Sequence, residues 1–258
     1  MLNTDKAWKK WGSEDPYFGV LAHERFAAGN IERNREEFFA TGQDFIADIL
    51  KRYELLFGEL PRARALDHGC GVGRLTLPLT LHFANVVALD VSPDMLAEAK
   101  ANSGRAGVAN AHFLEADDHL SNAEGEFDFV NSNMVLQHVP VRRGLPLLFR
   151  LIEKVRPGGG FHIQLSYRID PWPWRLLYWA SANIPGVKVW QNICAGRQWN
   201  APAMQMNNYP INAIVARLAA AGITQLFLLT EPEARYVSCS LIGRKAHRDI
   251  QKASSETR

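Results

Sequence analysis

The chain has 258 residues, a formal net charge of +2 at pH 7 and 47% hydrophobic residues, enough for one large α/β domain or two small ones with a sizeable core. So balanced a charge lacks the broad positive field of a duplex nucleic-acid binder, and Cys70, Cys194 and Cys239 form no CxxC pair, which fits a reducing cytosol. The N-terminus "MLNTDKAWKKWGSEDP" holds no apolar signal core and no apolar run reaches membrane-span length, so a cytoplasmic protein without a membrane span is expected.

From about residue 42 to 57, "GQDFIADILKRYELLF" places Phe45, Ile46, Ile49, Leu50, Tyr53 and Leu56 at helical spacing, with Thr41 and Asp44 disposed as a capping box. Beyond it, β-type runs alternate with helical patterns: "ARAL" then "LTLPLTLHF"; "VVALD" then "PDMLAEAKAN"; "AHFL"; "FDFVNS" then "RGLPLLFRLIEKV"; and "FHIQLSY". This is the rhythm of a parallel, doubly wound sheet. Ser92 suits an N-cap with Pro93 at the first helical position, so Asp90 ends a strand immediately before a helix.

"RPGGG" (156–160) reads as a tight turn into the strand at 161–167. After residue 210 come a helix, "INAIVARLAAAG", and two extended runs joined at Glu231–Pro232, which suggest an antiparallel hairpin closing the sheet. Residues 168–209 break the rhythm: they hold five of the seven tryptophans and little periodicity, and read as a cap over the sheet's carboxyl edge. The basic tail after residue 245 reads as a solvated terminus. No linker divides the chain, so a single domain over 1–258 is expected: an N-terminal helical lid (1–60), a core (61–167), the cap (168–209), a C-terminal helix and hairpin (210–245) and the tail (246–258).

In "ALDHGCGVGRL" (65–75), Gly69, Gly71 and Gly73 follow a strand-like run at alternate positions. A glycine loop there lets backbone N–H groups and a helix start approach a ligand that a Cβ would block. A dinucleotide fingerprint counted from Gly69 needs a third glycine where Arg74 stands, which weakens a nicotinamide reading.

These residues, with Asp67 two positions before Gly69 and Asp90 closing "VVALDVSPDML", resemble the nucleotide-binding half of the class I S-adenosylmethionine-dependent methyltransferases. The resemblance continues in order through "FLEADDHL", "FDFVNSNMVLQHV" and "LIEKVRPGGGFHIQ", covering about 65–167. It implies an α/β, Rossmann-like fold with a doubly wound, mostly parallel seven-stranded sheet, N-terminal helices and the aromatic-rich cap as an insertion. It also implies S-adenosylmethionine as cofactor and S-adenosylhomocysteine as product.

On this resemblance Gly69, Cys70, Gly71 and Gly73 hold the methionine portion, and Asp67 lies near the ammonium group through water. Asp90 takes the ribose, with Val91 and Met95 in the same cofactor-binding set. Asp117 or Asp118 meets adenine, while Asn133 and Met134 line the sulfonium end. "WGSEDPYFGVL" (11–21) resembles an entrance segment, in which Tyr17 and Phe18 cover the methionine end or pack in the ordinary way.

Methyl transfer is an in-line displacement at a carbon already activated by a sulfonium, so alignment, worth about 7–11 kcal/mol, outweighs a general base, worth about 3–5 kcal/mol. His138 in "LQHV" is the first candidate base, with a structural role as the alternative; His162 and His119 follow. Gln164 and Tyr167 lie nearest the carboxyl end of "FHIQLSY" and are candidate substrate contacts, a buried structural hydrogen bond being the alternative for Gln164. Trp199 joins them from the cap, whose aromatic residues either wall an apolar pocket or form the cap's own core. No spaced His/Asp cluster suits a metal ion, and "NSNM" stands where enzymes methylating planar nitrogens carry Asn/Asp-Pro-Pro-Tyr.

The resulting expectation is a metal-independent methyltransferase acting on a small-molecule acceptor, a metabolite, natural-product scaffold or sugar, at oxygen. It would act as a monomer or homodimer with no nucleic-acid partner. The alternatives are an S-adenosylmethionine-binding protein without catalysis and an NAD-dependent oxidoreductase.

Overall fold

A computed structural model describes residues 4–169, 172–184, 186–194, 204–232 and 236–246. Among them, seven strands form one sheet in the order β3-β2-β1-β4-β5-β7-β6: β1 Arg64–His68, β2 Asn85–Asp90, β3 Ala111–Glu115, β4 Phe127–Ser132, β5 Val155–Ile169, β6 Gln225–Pro232 and β7 Tyr236–Arg244. β1 to β5 run parallel, and β7 lies antiparallel between β5 and β6. The doubly wound sheet and its closing hairpin therefore form as the alternating pattern predicts.

Helices α4 (Thr76–Thr80), α5 (Pro93–Arg105), α6 (Val141–Glu153) and α9 (Ile211–Ala220) connect the strands. Ser92 caps α5, accepting from the Met95 N–H at 3.4 Å with Pro93 at the first position. The sheet is apolar on both faces. One face carries Leu66, Phe127, Val130, Leu148 and Leu241; the other carries Ala65, Val86 and Phe129 under Ile46, Ile49 and Tyr53.

Helix α3 runs from Ile31 to Phe57, eleven residues earlier than the pattern suggests. Thr41 is therefore no cap: its hydroxyl donates to the Phe38 carbonyl inside the helix. Only Ile31 and Phe38 mark the buried stripe in that first half, too sparse an apolar repeat to register as a helix. Leu56 is exposed on the same helix. β5 likewise begins at Val155, because Phe127 pairs with Val155 and Phe129 with Gly160. One residue of β4, Asp128, thus opposes four of β5, and "RPGG" (156–159) bulges out of a continuous strand rather than preceding it.

Helices α1 (Thr4–Glu14) and α2 (Pro16–Val20) lie against α5 and the glycine loop, where Trp11, Tyr17, Val72 and Met95 share one cluster. The 168–209 region is more regular than its sequence suggests. β5 extends to Ile169, followed by α7 (Trp172–Asn183) and α8 (Val187–Cys194).

Candidate active site

The glycine loop stands at the carboxyl end of β1 with φ values of +73° at Gly69, +53° at Gly71 and +89° at Gly73, backbone that favours glycine. Close approach is a second reason for two of them. A Cβ on Gly69 would sit 2.2 Å from Val135 Cγ2, and one on Gly71 would sit 2.4 Å from Val20 Cγ2. Val135 of the post-β4 loop and Val20 of α2 thus pack directly against these two glycines.

The loop is tied to β2 by three backbone donors. Gly69 and Cys70 N–H groups share the Leu89 carbonyl, at 2.7 and 2.9 Å, and Gly71 N–H reaches Asp90 Oδ2 at 2.9 Å. Asp90 Oδ1 accepts from Ser92 N–H at 2.9 Å. One carboxylate thus joins the glycine loop to the start of α5. Burial pushes its pKa up to about 6, against the pull of the Ser92 and Gly71 amides.

Asp67 is more deeply enclosed. Thr76 Oγ1 donates to one oxygen at 2.6 Å and Asn131 Nδ2 to the other at 2.8 Å; burial raises its pKa. Asn131 Oδ1 meets His162 Nδ1 at 2.9 Å, and His162 Nε2 meets Ser240 Oγ at 3.3 Å. The register places Asp67 beside Asn131 and Asn131 beside His162, so this polar row crosses β1, β4, β5 and β7 inside the sheet. Burial lowers the His162 pKa to about 3. His162 is accordingly a neutral structural link, and its separate polar partners were not legible in "FHIQLSY".

A cavity of about 360 Å³ opens beyond β2 and β3, lined by Val91, Asp117, Asp118, His119 and Arg143, with Asp5 and Lys9 contributed by α1. The two carboxylates of "EADDHL" part company here. Both oxygens of Asp118 receive Arg143 Nε at 2.7 Å, and Arg143 Nη1 also reaches Asp5 at 2.7 Å. Asp117 uses Oδ1 for the His119 and Ser121 amides, at 2.9 and 3.0 Å, and Oδ2 lies outside those two bonds. The Ser121 amide is the leading cause of its lowered pKa. Asp5 and Lys9 were missed because nothing in α1's own sequence marks a helix that reaches a strand end more than a hundred residues later.

After β4, Asn133 Oδ1 is buried without a hydrogen-bond partner. Met134 adopts φ +59°, and its N–H donates to Gln164 Oε1 at 3.1 Å. That left-handed conformation is costly for a non-glycine residue, and Gln164 holds it. Gln164 thus makes a structural hydrogen bond through Oε1. Tyr167 is exposed at the end of β5.

His138 is enclosed by three separate segments. Its Nδ1 meets the Gln205 carbonyl at 2.6 Å, which assigns the proton to Nδ1; Nε2 faces the Gln137 amide at 3.3 Å. Trp8 lies 4.9 Å away, and Thr4 Oγ1 donates to the His138 carbonyl at 2.8 Å. Burial lowers its pKa to about 4. Its Nε2 thus already faces an amide.

Several sequence expectations land elsewhere. The Tyr17 hydroxyl donates to Glu98 at 2.6 Å beside Asn102 Oδ1 at 3.0 Å and an Arg35 contact, and burial raises its pKa to about 12. Tyr17 is thus a brace between α2, α3 and α5, the ordinary packing role. Met95 is buried in the same cluster and Cys70 is buried in the loop. Arg74 is also buried, its guanidinium reaching Thr41 of α3 at 3.3 Å. Trp199 lies outside the described residues. Among the described residues, no group of three or more His, Cys, Asp or Glu side chains is placed to hold a metal ion.

A family model described as a methyltransferase domain matches residues 65–159, the stretch holding the glycine loop, Asp90, Asp117 and the post-β4 loop. Residues 65–159 thus match a methyltransferase domain. The methyltransferase domain has curated relatives. Over 132 residues the chain is 38% identical to a trans-aconitate 2-methyltransferase of Deinococcus radiodurans, covering 50% of this chain and 48% of the relative. It is 36% identical over 180 residues to a trans-aconitate 2-methyltransferase of Methylobacterium nodulans, covering 69% of this chain and 62% of the relative. The chain thus spans about half to three fifths of the length of these relatives. Magnesium protoporphyrin IX methyltransferase from Synechocystis PCC 6803, in a structure with S-adenosylmethionine bound, superposes with a TM-score of 0.56 at 15% identity, over 95% of this chain and 99% of that one. That similarity establishes the fold.

Proposed function

We propose that this protein binds S-adenosylmethionine at the carboxyl edge of β1, β2 and β4 and transfers its methyl group to a small-molecule acceptor, at oxygen and without a metal ion. The observation that carries this reading is Asp90, whose half-buried carboxylate ties the left-handed glycine loop to the start of α5. The residues present fit the cofactor. Asp90 is a preplaced acceptor for the ribose hydroxyls. Asp117, which lines the cavity, suits the adenine amino group, since Arg143 holds both oxygens of Asp118. Asn133 Oδ1, buried without a donor, is an acceptor for the ammonium group.

When bound, the cofactor supplies an electrophilic methyl on a sulfonium. The protein's part is alignment and exclusion of water: Gln164 fixes Met134, Val135 closes on Gly69, and α1 and α2 cover the loop. Such positioning exceeds the contribution of a base, consistent with a His138 committed to packing. The two relatives named for trans-aconitate methylation support a small acceptor.

Calorimetric titration with S-adenosylmethionine, S-adenosylhomocysteine and NADH tests the reading. Both sulfur cofactors should bind, and Asp90→Ala should weaken them at least ~10-fold, as expected for lost hydrogen bonds to a charged group. Binding of NADH alone would overturn it. Screening acceptors for S-adenosylhomocysteine release would then identify the substrate.

A further inference from the structure

We propose that the face formed by α7 and α8 seats on an anionic lipid bilayer surface. Large apolar side chains stand open to solvent there: Trp172 is 68% exposed, Leu176 54%, Ile184 45%, Val189 37%, Trp190 63% and Ile193 61%. Trp172 and Leu176 are one turn apart on α7, and Trp190 and Ile193 share a stripe on α8. The two helices pack on each other, so the stripes form one region. Exposed apolar clusters of this kind mark interaction sites, and indole rings suit the interface between water and acyl chains.

Charge selects the occupant. Residues 172–194, which hold α7 and α8, contain no Asp or Glu and include Arg175 and Lys188. A cationic region with exposed tryptophans complements an anionic leaflet. A second copy of the chain would instead bring the same segment, with two basic and no acidic residues, against itself across a twofold axis. The helices, of 12 and 8 residues, are too short to span a bilayer and would lie on it. α7 follows the carboxyl end of β5, the edge shared with the glycine loop because β5, β4 and β1 are parallel. Docking by this face would turn the cofactor edge toward the lipid.

Sedimentation of the full chain with vesicles tests the proposal independently of any methyl transfer. Vesicles mixing phosphatidylcholine and phosphatidylglycerol should bind at least ~10-fold more tightly than phosphatidylcholine alone, and added salt should weaken the binding. The variant Trp172→Glu/Trp190→Glu/Ile193→Glu should lower vesicle affinity at least ~10-fold, and unchanged cofactor titration would show that it remains folded. Binding retained by a folded variant would overturn the proposal. So would a wild-type chain that ignores both vesicle types, or one that forms a dimer in analytical ultracentrifugation, lost in the variant, without vesicle binding. Should the variant misfold, the single substitution Trp190→Glu gives the same test, and undiminished vesicle binding by it would count against the proposal.

Discussion

The carboxyl edge of β1, β2 and β4 and the α7–α8 face lie on the same side of the sheet and are built in opposite ways. At the edge, Asp67, Asn131 and His162 are buried, Asp90 is half-buried, and each oxygen or ring nitrogen meets a partner at 2.6–3.3 Å. On α7 and α8, tryptophan, leucine and isoleucine side chains remain in water. Folding enforces the first region, since a buried polar group without a partner costs about 1–3 kcal/mol. The second contributes little to stability and is available for contact.

The contrast breaks most sharply at the glycine loop. Gly69→Ala places a Cβ against Val135 at a φ of +73°, and should cost about 2–4 kcal/mol from overpacking and left-handed strain together; urea unfolding checks this. His162→Ala leaves Asn131 Oδ1 and Ser240 without a shared partner, with an expected loss of about 2–3 kcal/mol. A loss below the error of a denaturation curve would mean that the polar row is decorative.

The same edge should make the fold acid-sensitive. His68 and His138 have pKa values lowered to about 4 and His162 to about 3, each by burial first. For histidines, stability is full above the free value near 6.5 and is lost as pH falls toward 4. Asp90, raised to about 6, and Asp67, also raised, act in the opposite direction, favouring the protonated native state as pH drops. Three histidines against two carboxylates leave a net loss of about 1–3 kcal/mol per pH unit near pH 5, readable as a falling urea midpoint between pH 7 and 5. The smallest effect belongs to the other region: Leu176→Ser should change stability by no more than about 0.5 kcal/mol. A larger change would show that α7 is covered in solution.

Much of the site could be read in advance where a rule is local. The Ser92-Pro93 start of α5, Asp90 before it and the three glycines are marked by residue types whose backbone preferences act within a few positions. The first half of α3 was missed, since Ile31 and Phe38 alone mark its buried stripe. The 168–209 segment concealed two helices because tryptophan and proline obscure a 3.6-residue period. Neither Asp117 nor Asp118 stood out by spacing. Arg143, 25 residues on, separated them by holding Asp118 with both oxygens.

The alternation of strands with helices, the strand ends that carry carboxylates and the antiparallel hairpin at the end of the chain followed from hydrophobic period and turn chemistry, which act over a few residues. Partnerships across the chain came only with folding. Asn131 reaches Asp67 over 64 positions, Thr4 reaches the His138 carbonyl over 134, and α1 lends Asp5 and Lys9 to the cavity beside Asp117. Such contacts depend on strand order and register, which bring distant segments within hydrogen-bond reach and decide whether a histidine is a base or a buried neutral link.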